Sequence, residues 1–162
     1  SSRRRHTRYI SVTGVQTCAL PILLNGVLGN DTLIGGAGDD SFRDDGGADT
    51  MTGGTGADHF IWANLNQFGG LAYANADRIT DFSSVEGDKI ELNLLDANSL
   101  VAGDQAFTFI GNSAFSHTAS ELHYINNGVD TLVEGDINGD GVADFAIKLD
   151  GLLAMQASDF VL

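Results

Sequence analysis

Asp31, Asp40, Asp49 and Asp58 follow one another at intervals of nine residues, and Gly29, Gly38, Gly47 and Gly56 keep the same interval. The large apolar residues Leu33, Phe42, Met51 and Phe60 hold that phase too. Glycine tolerates the positive φ values of tight turns, and without side chains in the way backbone carbonyls can converge on an ion. Aspartate adds a short anionic oxygen, and a hard divalent cation accepts six to eight such oxygens. The acidic residues fit this chemistry: 18 of the 22 are Asp and only Glu86, Glu91, Glu121 and Glu134 are Glu. Asp suits turns and hard-cation ligation better than helix surfaces. The formal charge of −14 repels nucleic acid and anionic membranes, so neither is expected as a partner. No apolar run approaches the ~20 residues of a membrane span.

The repeating units are GVLGNDTLI (26–34), GGAGDDSFR (35–43), DDGGADTMT (44–52) and GGTGADHFI (53–61). They resemble the RTX nonapeptide G-G-x-G-x-D-x-U-x. Units two and four match it throughout, Val27 replaces a glycine in unit one, and Asp44 and Asp45 replace the glycine pair of unit three. The resemblance implies Ca²⁺ as cofactor and a right-handed parallel β-roll with two nonapeptides per coil. Unit one then faces unit three, unit two faces unit four, and the three-residue x-U-x strands point Leu33, Phe42, Met51 and Phe60 inward. The candidate ligands are Gly29, Asp31, Gly35, Gly36, Gly38, Asp40, Gly47, Asp49, Gly53, Gly54, Gly56 and Asp58. A single GGxGxD is ordinarily only a glycine turn, whereas four units in register with a conserved apolar position are a stronger signal. Strands this short bury little surface and their aspartates repel, so the roll is expected to be disordered without Ca²⁺ and to fold on binding it.

Residues 1–22 behave differently. They carry four of the eight basic residues, no acid, the only Cys (Cys18) and the only Pro (Pro21). A signal peptide would need an apolar core after the arginines, and none of adequate length follows. Val12 to Ile22 (VTGVQTCALPI) instead resembles a translated sequencing adapter, so residues 1–22 are read as a non-native leader that interrupts an array in which Leu24 is already in phase. The remaining 140 residues hold 22 acids against Arg43, Arg78, Lys89 and Lys148, with no Cys. A secreted domain without disulfides needs another staple, and a metal is a common one.

Beyond Trp62 the nonapeptide phase stops. Residues 63–76 read as a surface loop, followed by DRITDF (77–82) and GDKIELNLLDAN (87–98). Alternating runs follow at AFTFI (106–110), ELHYI (121–125), DTLVEG (130–135) and DFAIKL (144–149), several of them separated by the turn signals NNG, NGDG and DG. The fold class is therefore all-β, a parallel β-roll over 23–62 with an antiparallel β-rich cap over 63–162. An open solenoid end requires such a cap. These segments, together with AFTFIGNSAFSHTASELHY, GDINGDGVADFAIKL and the final ASDFVL, resemble the C-terminal domain of serralysin-type metalloproteases over 26–162. The resemblance implies that Asp81 and Asp88 help bind a calcium at the end of the roll; the alternative is that they merely solubilise strand edges. It also implies that Asp159-Phe160-Val161-Leu162 belongs to a type I secretion signal read by an ABC exporter, the alternative being a last strand packed into the cap.

Asp136, Asn138, Asp140 and Asp144 fit the first nine positions of an EF-hand loop, but Ile147 stands where the closing Glu belongs, which favours an acidic hairpin turn. The serralysin zinc motif HExxHxxGxxH is absent, and His6, His59, His117 and His123 do not reproduce its spacing. Neither a GxSxG elbow nor a phosphate loop occurs. The expectation is a secreted, extracellular, non-catalytic calcium module at the end of an exported protein. Calcium binding near ~10⁻⁴–10⁻³ M would suit it. The upstream domain is catalytic, as in a zinc metalloprotease, or adhesive, as in a calcium-dependent adhesin or surface-layer protein.

Overall fold

A computed structural model describes residues 20–26, 28–43, 46–65, 68 and 75–162; most of the expected leader (1–22), Val27, Asp44, Asp45 and much of the expected surface loop (63–76) lie outside the described residues. The described chain is all-β, with a 3₁₀ turn at Ala157–Asp159. Two sheets face each other. The first has five strands in the order β1 (Leu23–Asn25), β3 (Ser41–Arg43), β5 (His59–Ile61), β7 (Lys89–Glu91), β12 (Phe160–Val161). The second has seven, in the order β2 (Thr32–Ala37), β4 (Thr50–Thr55), β6 (Asp77–Ile79), β11 (Phe145–Leu149), β10 (Thr131–Asp136), β9 (Glu121–Asn126), β8 (Thr108–Phe109).

The repeat phase explains the register. Leu24 pairs with Phe42, Leu33 with Met51 and Phe42 with Phe60, all in parallel strands, so each coil of the roll consumes two nonapeptides. Alternation along each x-U-x strand sends the middle side chain inward. Leu33 is 2 % exposed and Phe42, Met51 and Phe60 are fully buried, with the Phe42 and Phe60 rings stacked at 4.9 Å.

Parallel pairing continues past Trp62. Met51 pairs with Ile79 and Phe60 with Ile90, and Phe160 then pairs with Ile90 from the other side. Segments 77–79 and 89–91 thus form another coil, carrying longer excursions between its strands. The antiparallel part is confined to β9, β10 and β11, and β11 joins the roll through its parallel pairing with β6. An aromatic row links the two regions: Trp62 stacks on Phe68 at 5.7 Å, Phe68 on Phe145 at 4.3 Å, and Phe107 meets Phe145 edge-on at 5.5 Å. Gly135 lies opposite Phe145, and a Cβ there would collide with the ring.

Phe60 touches both the repeat stack and, through Phe82 at 6.4 Å, the following coil. Phe60→Ala should therefore cost about 3–5 kcal/mol, the usual range for emptying a buried Phe site. A chemical-denaturation midpoint shared with the parent chain would contradict this packing.

Candidate metal centre

Each of the four repeat strands is preceded by an aspartate, and the carboxylates of Asp40, Asp49 and Asp58 fold back to accept a backbone amide of the neighbouring coil. The Asp31 amide donates to Asp49 Oδ1 at 2.8 Å, and the Asp40 amide donates to Asp58 Oδ1 at 2.8 Å. The pattern continues beyond the repeats, from the Asp49 amide to Asp77 Oδ1 at 3.0 Å and from the Asp58 amide to Asp88 Oδ1 at 2.9 Å. Two columns result, one through Asp31, Asp49 and Asp77, the other through Asp40, Asp58 and Asp88. At the head of the second column the Ile22 amide donates to Asp40 Oδ1 at 2.9 Å, so Ile22 stands where the phase would place another aspartate.

The second carboxylate oxygens differ along the columns. Oδ2 of Asp40 and Oδ2 of Asp58 are buried and accept no hydrogen bond. A buried anionic oxygen without a donor is costly unless a cation supplies the missing charge. Burial pushes the Asp58 carboxyl up to about 6; the hydrogen bond from Asp40 opposes this, and the charges of Asp88, Asp40 and Asp81 add to it.

Farther along, backbone and indole N–H groups occupy the corresponding oxygens. Trp62 Nε1 donates to Asp77 Oδ2 at 2.9 Å and the Ser83 amide donates to Asp88 Oδ2 at 2.8 Å. Burial also raises the Asp88 carboxyl, against the hydrogen bonds from Asp58 and Ser83. Asp81 lies over the last glycine turn, accepting from the amides of Gly53 at 2.9 Å and Gly54 at 2.8 Å.

The glycines let these turns stack at backbone contact. Gly29, Gly36 and Gly38 lie under Gly47, Gly54 and Gly56, and a Cβ on any of the upper three would strike the carbonyl oxygen beneath it. Gly54 also has φ +105°, a left-handed conformation that side chains resist. Gly35 and Gly53 lie beside the open oxygens of Asp40 and Asp58 respectively.

Among the described residues no three His, Cys, Asp or Glu side chains converge on a point where they could hold an ion alone. Any ion here would therefore be completed by backbone carbonyls, and the donors on offer are all oxygen. That set fits a hard cation such as Ca²⁺ and not zinc. Asp136 and Asp144 present a different case. The amides of Asn138, Gly139 and Gly141 donate to Asp136, while the Ile137 amide and Asn138 Nδ2 donate to Asp144. The 136–144 loop is thus an acidic hairpin between β10 and β11 whose carboxylates are held by its own N–H groups.

Asp77 and Trp62 escaped the sequence reading. The available signal was D-x-U: Asp77-Arg78-Ile79 and Asp88-Lys89-Ile90 copy Asp49-Thr50-Met51 and Asp58-His59-Phe60, but after 28 and 30 residues instead of 18. At the C-terminus, Asp159 caps the 3₁₀ turn by accepting from the Gln156 amide at 2.7 Å, and Phe160 and Val161 form β12.

Gly35 has no left-handed φ, so Gly35→Ala tests close approach alone: its Cβ would come within 2.6 Å of the Gly53 carbonyl oxygen and against the Asp40 carboxylate. The expected loss is about 1–3 kcal/mol, the range for over-packing. An unchanged thermal midpoint would show that the turns do not stack this tightly.

The family model for the peptidase M10 serralysin C-terminal region matches residues 8–162. No curated protein sequence matches the chain. Among solved structures, the AlgE6R3 subunit of the Azotobacter vinelandii mannuronan C5-epimerase is similar at 24% identity and a TM-score of 0.51, over 96% of this chain and 86% of that one. The AlgE6R2 subunit of the same epimerase is similar at 22% identity and a TM-score of 0.56, over 88% of this chain and 92% of that one. Both likenesses concern the β-roll fold. With the matched segment taking in both sheets and the whole aspartate ladder, the chain belongs to the peptidase M10 serralysin C-terminal family.

Proposed function

We propose that this chain is a calcium-binding RTX module that folds on Ca²⁺ outside the cell and stabilises the end of a larger exported protein. The observation that carries the reading is the pair of buried, donor-free oxygens, Asp40 Oδ2 and Asp58 Oδ2, set among glycine turns packed to backbone contact. Asp40, Asp58 and the carbonyls of Gly35, Gly36, Gly38, Gly53, Gly54 and Gly56 would hold ions in one column. Asp31, Asp49, Gly29 and Gly47 would serve the other, and Asp81 and Asp88 would close the end. Bound calcium supplies the positive charge that the stacked carboxylates lack, and its coordination shell ties one coil to the next. The module does no chemistry of its own. Membership of the serralysin family favours a metalloprotease as the parent over an adhesin.

The sole tryptophan, Trp62, is fully buried and bonded to Asp77, so its emission reports closure of the roll. Titrating the chelator-treated chain with calcium chloride should shift Trp62 emission to the blue and build a β-sheet dichroism spectrum together, reversibly with chelator. Asp58→Asn keeps the acceptor for the Asp40 amide but removes the anionic oxygen. It should raise the calcium midpoint about tenfold or more, since losing even an outer-shell partner of a metal ligand costs roughly that much. A chain equally folded in excess chelator would overturn the reading.

The tail Asp159–Leu162 contains β12 (Phe160–Val161), so export and folding must be separated. Deleting Asp159–Leu162 should abolish export through a type I exporter while the purified chain still responds to calcium. Undiminished export would remove the secretion role.

A further inference from the structure

Away from the roll, the antiparallel sheet buries one histidine whose two ring nitrogens both face acceptors. His123 on β9 is 6 % exposed. Its Nδ1 lies 2.8 Å from the Ser113 carbonyl oxygen, which can only accept, so Nδ1 carries a proton. Its Nε2 lies 3.0 Å from Oε2 of Glu134, the residue directly across on β10. A neutral ring with its proton on Nδ1 would turn a lone pair toward that carboxylate. The contact is a hydrogen bond only when the pair holds one more proton, on Nε2 or on Glu134.

The surroundings favour the charged ring. Phe115 stacks on His123 with centroids 3.9 Å apart, a geometry that suits a cation over an aromatic face. Glu121 projects from the same strand two residues before His123, and its carboxylate accepts from the Ser116 amide and from Ser116 Oγ, each at 2.6 Å. Asp136, opposite Glu121 on β10, is held by the amides of its own hairpin. From that hairpin the Asp140 carbonyl meets His117 Nδ1 at 2.8 Å. The acidic groups facing the ring are thus Glu134 and Glu121, and the segment that wraps it, Ser113 to Ser116, brings no charge.

We infer that the His123–Glu134 pair and its shared proton form a latch that fastens segment 113–116 onto β9 and β10, and that alkaline solution opens it by removing that proton. Burial alone would lower the ring's pKa. The Glu134 and Ser113 hydrogen bonds and the charges of Glu134 and Glu121 outweigh burial, and the net direction is upward from 6.5. The latch therefore contributes fully below the unfolded value, and its contribution is lost as pH rises through the higher folded value.

The test follows the isotope-labelled chain in excess calcium chloride by NMR from about pH 5.5 to 9.5, across the histidine range. The His123 ring should titrate with a midpoint above 6.5, and the Ser113 and Ser116 amide signals should move with that midpoint. Glu134→Gln, nearly isosteric, should bring the His123 midpoint down and remove the amide response in its former range. A midpoint at or below 6.5 in the parent chain, or amides that stay still through it, would overturn the latch.

Discussion

The structure depends on how each ladder aspartate divides its two oxygens. One oxygen accepts the amide of the aspartate a coil earlier, which sets the spacing of successive coils. In Asp40 and Asp58 the other oxygen is left inside the turn without a donor. Parallel strands stack about 4.8 Å apart, and two carboxylates at that distance repel by on the order of 3 kcal/mol at an effective dielectric of 20. Such repulsion opposes stacking of the turns, and positive charge between them would offset it. The inward column of Leu33, Phe42, Met51 and Phe60 adds apolar burial, but three-residue strands supply little of it per coil.

Where the ladder ends, the same carboxylate geometry persists and the missing partner is supplied by the protein. The Trp62 indole meets Asp77, the Ser83 amide meets Asp88, and Asp81 receives the two amides of the last glycine turn. Longer excursions in this final coil bring those donors into reach. The free side of β7 is then covered by β12, the last strand of the five-stranded sheet, whose Phe160 packs on Phe109 at 4.9 Å.

The antiparallel region carries its acid load differently. Its carboxylates are taken up by hairpin amides, as at Asp136 and Asp144, or by cations: Lys148 lies 3.1 Å from Asp130, and Arg78 pairs with Asp150. One molecule thus holds two arrangements of the same residue type. Tight glycine turns leave an oxygen open, whereas wider loops close on it with N–H groups.

The nonapeptide register located the roll and its inward residues, because a strict period keeps one residue class on one face; that two units make a coil, and hence the 18-residue pairing, came from the resemblance to the RTX repeat and not from the period. Alternation likewise located the strands of the antiparallel region, and the turn signals located hairpins such as 126–128 and 138–141. The sequence also showed which aspartates recur, but not which of their oxygens stay open, since that depends on donors brought from elsewhere. Only the tertiary structure placed Asp77 in the ladder, because the interval there lengthens to 28 residues and hides the phase. It alone continued the parallel roll through β6, β7 and β12: the D-x-U signal of β6 and β7 carries no nine-residue phase, and β12 meets β7 from 70 residues away through packing. And it alone set His123 against Glu134: a lone histidine in an alternating strand carries no mark of its partner until the register of two strands fixes what stands across from it.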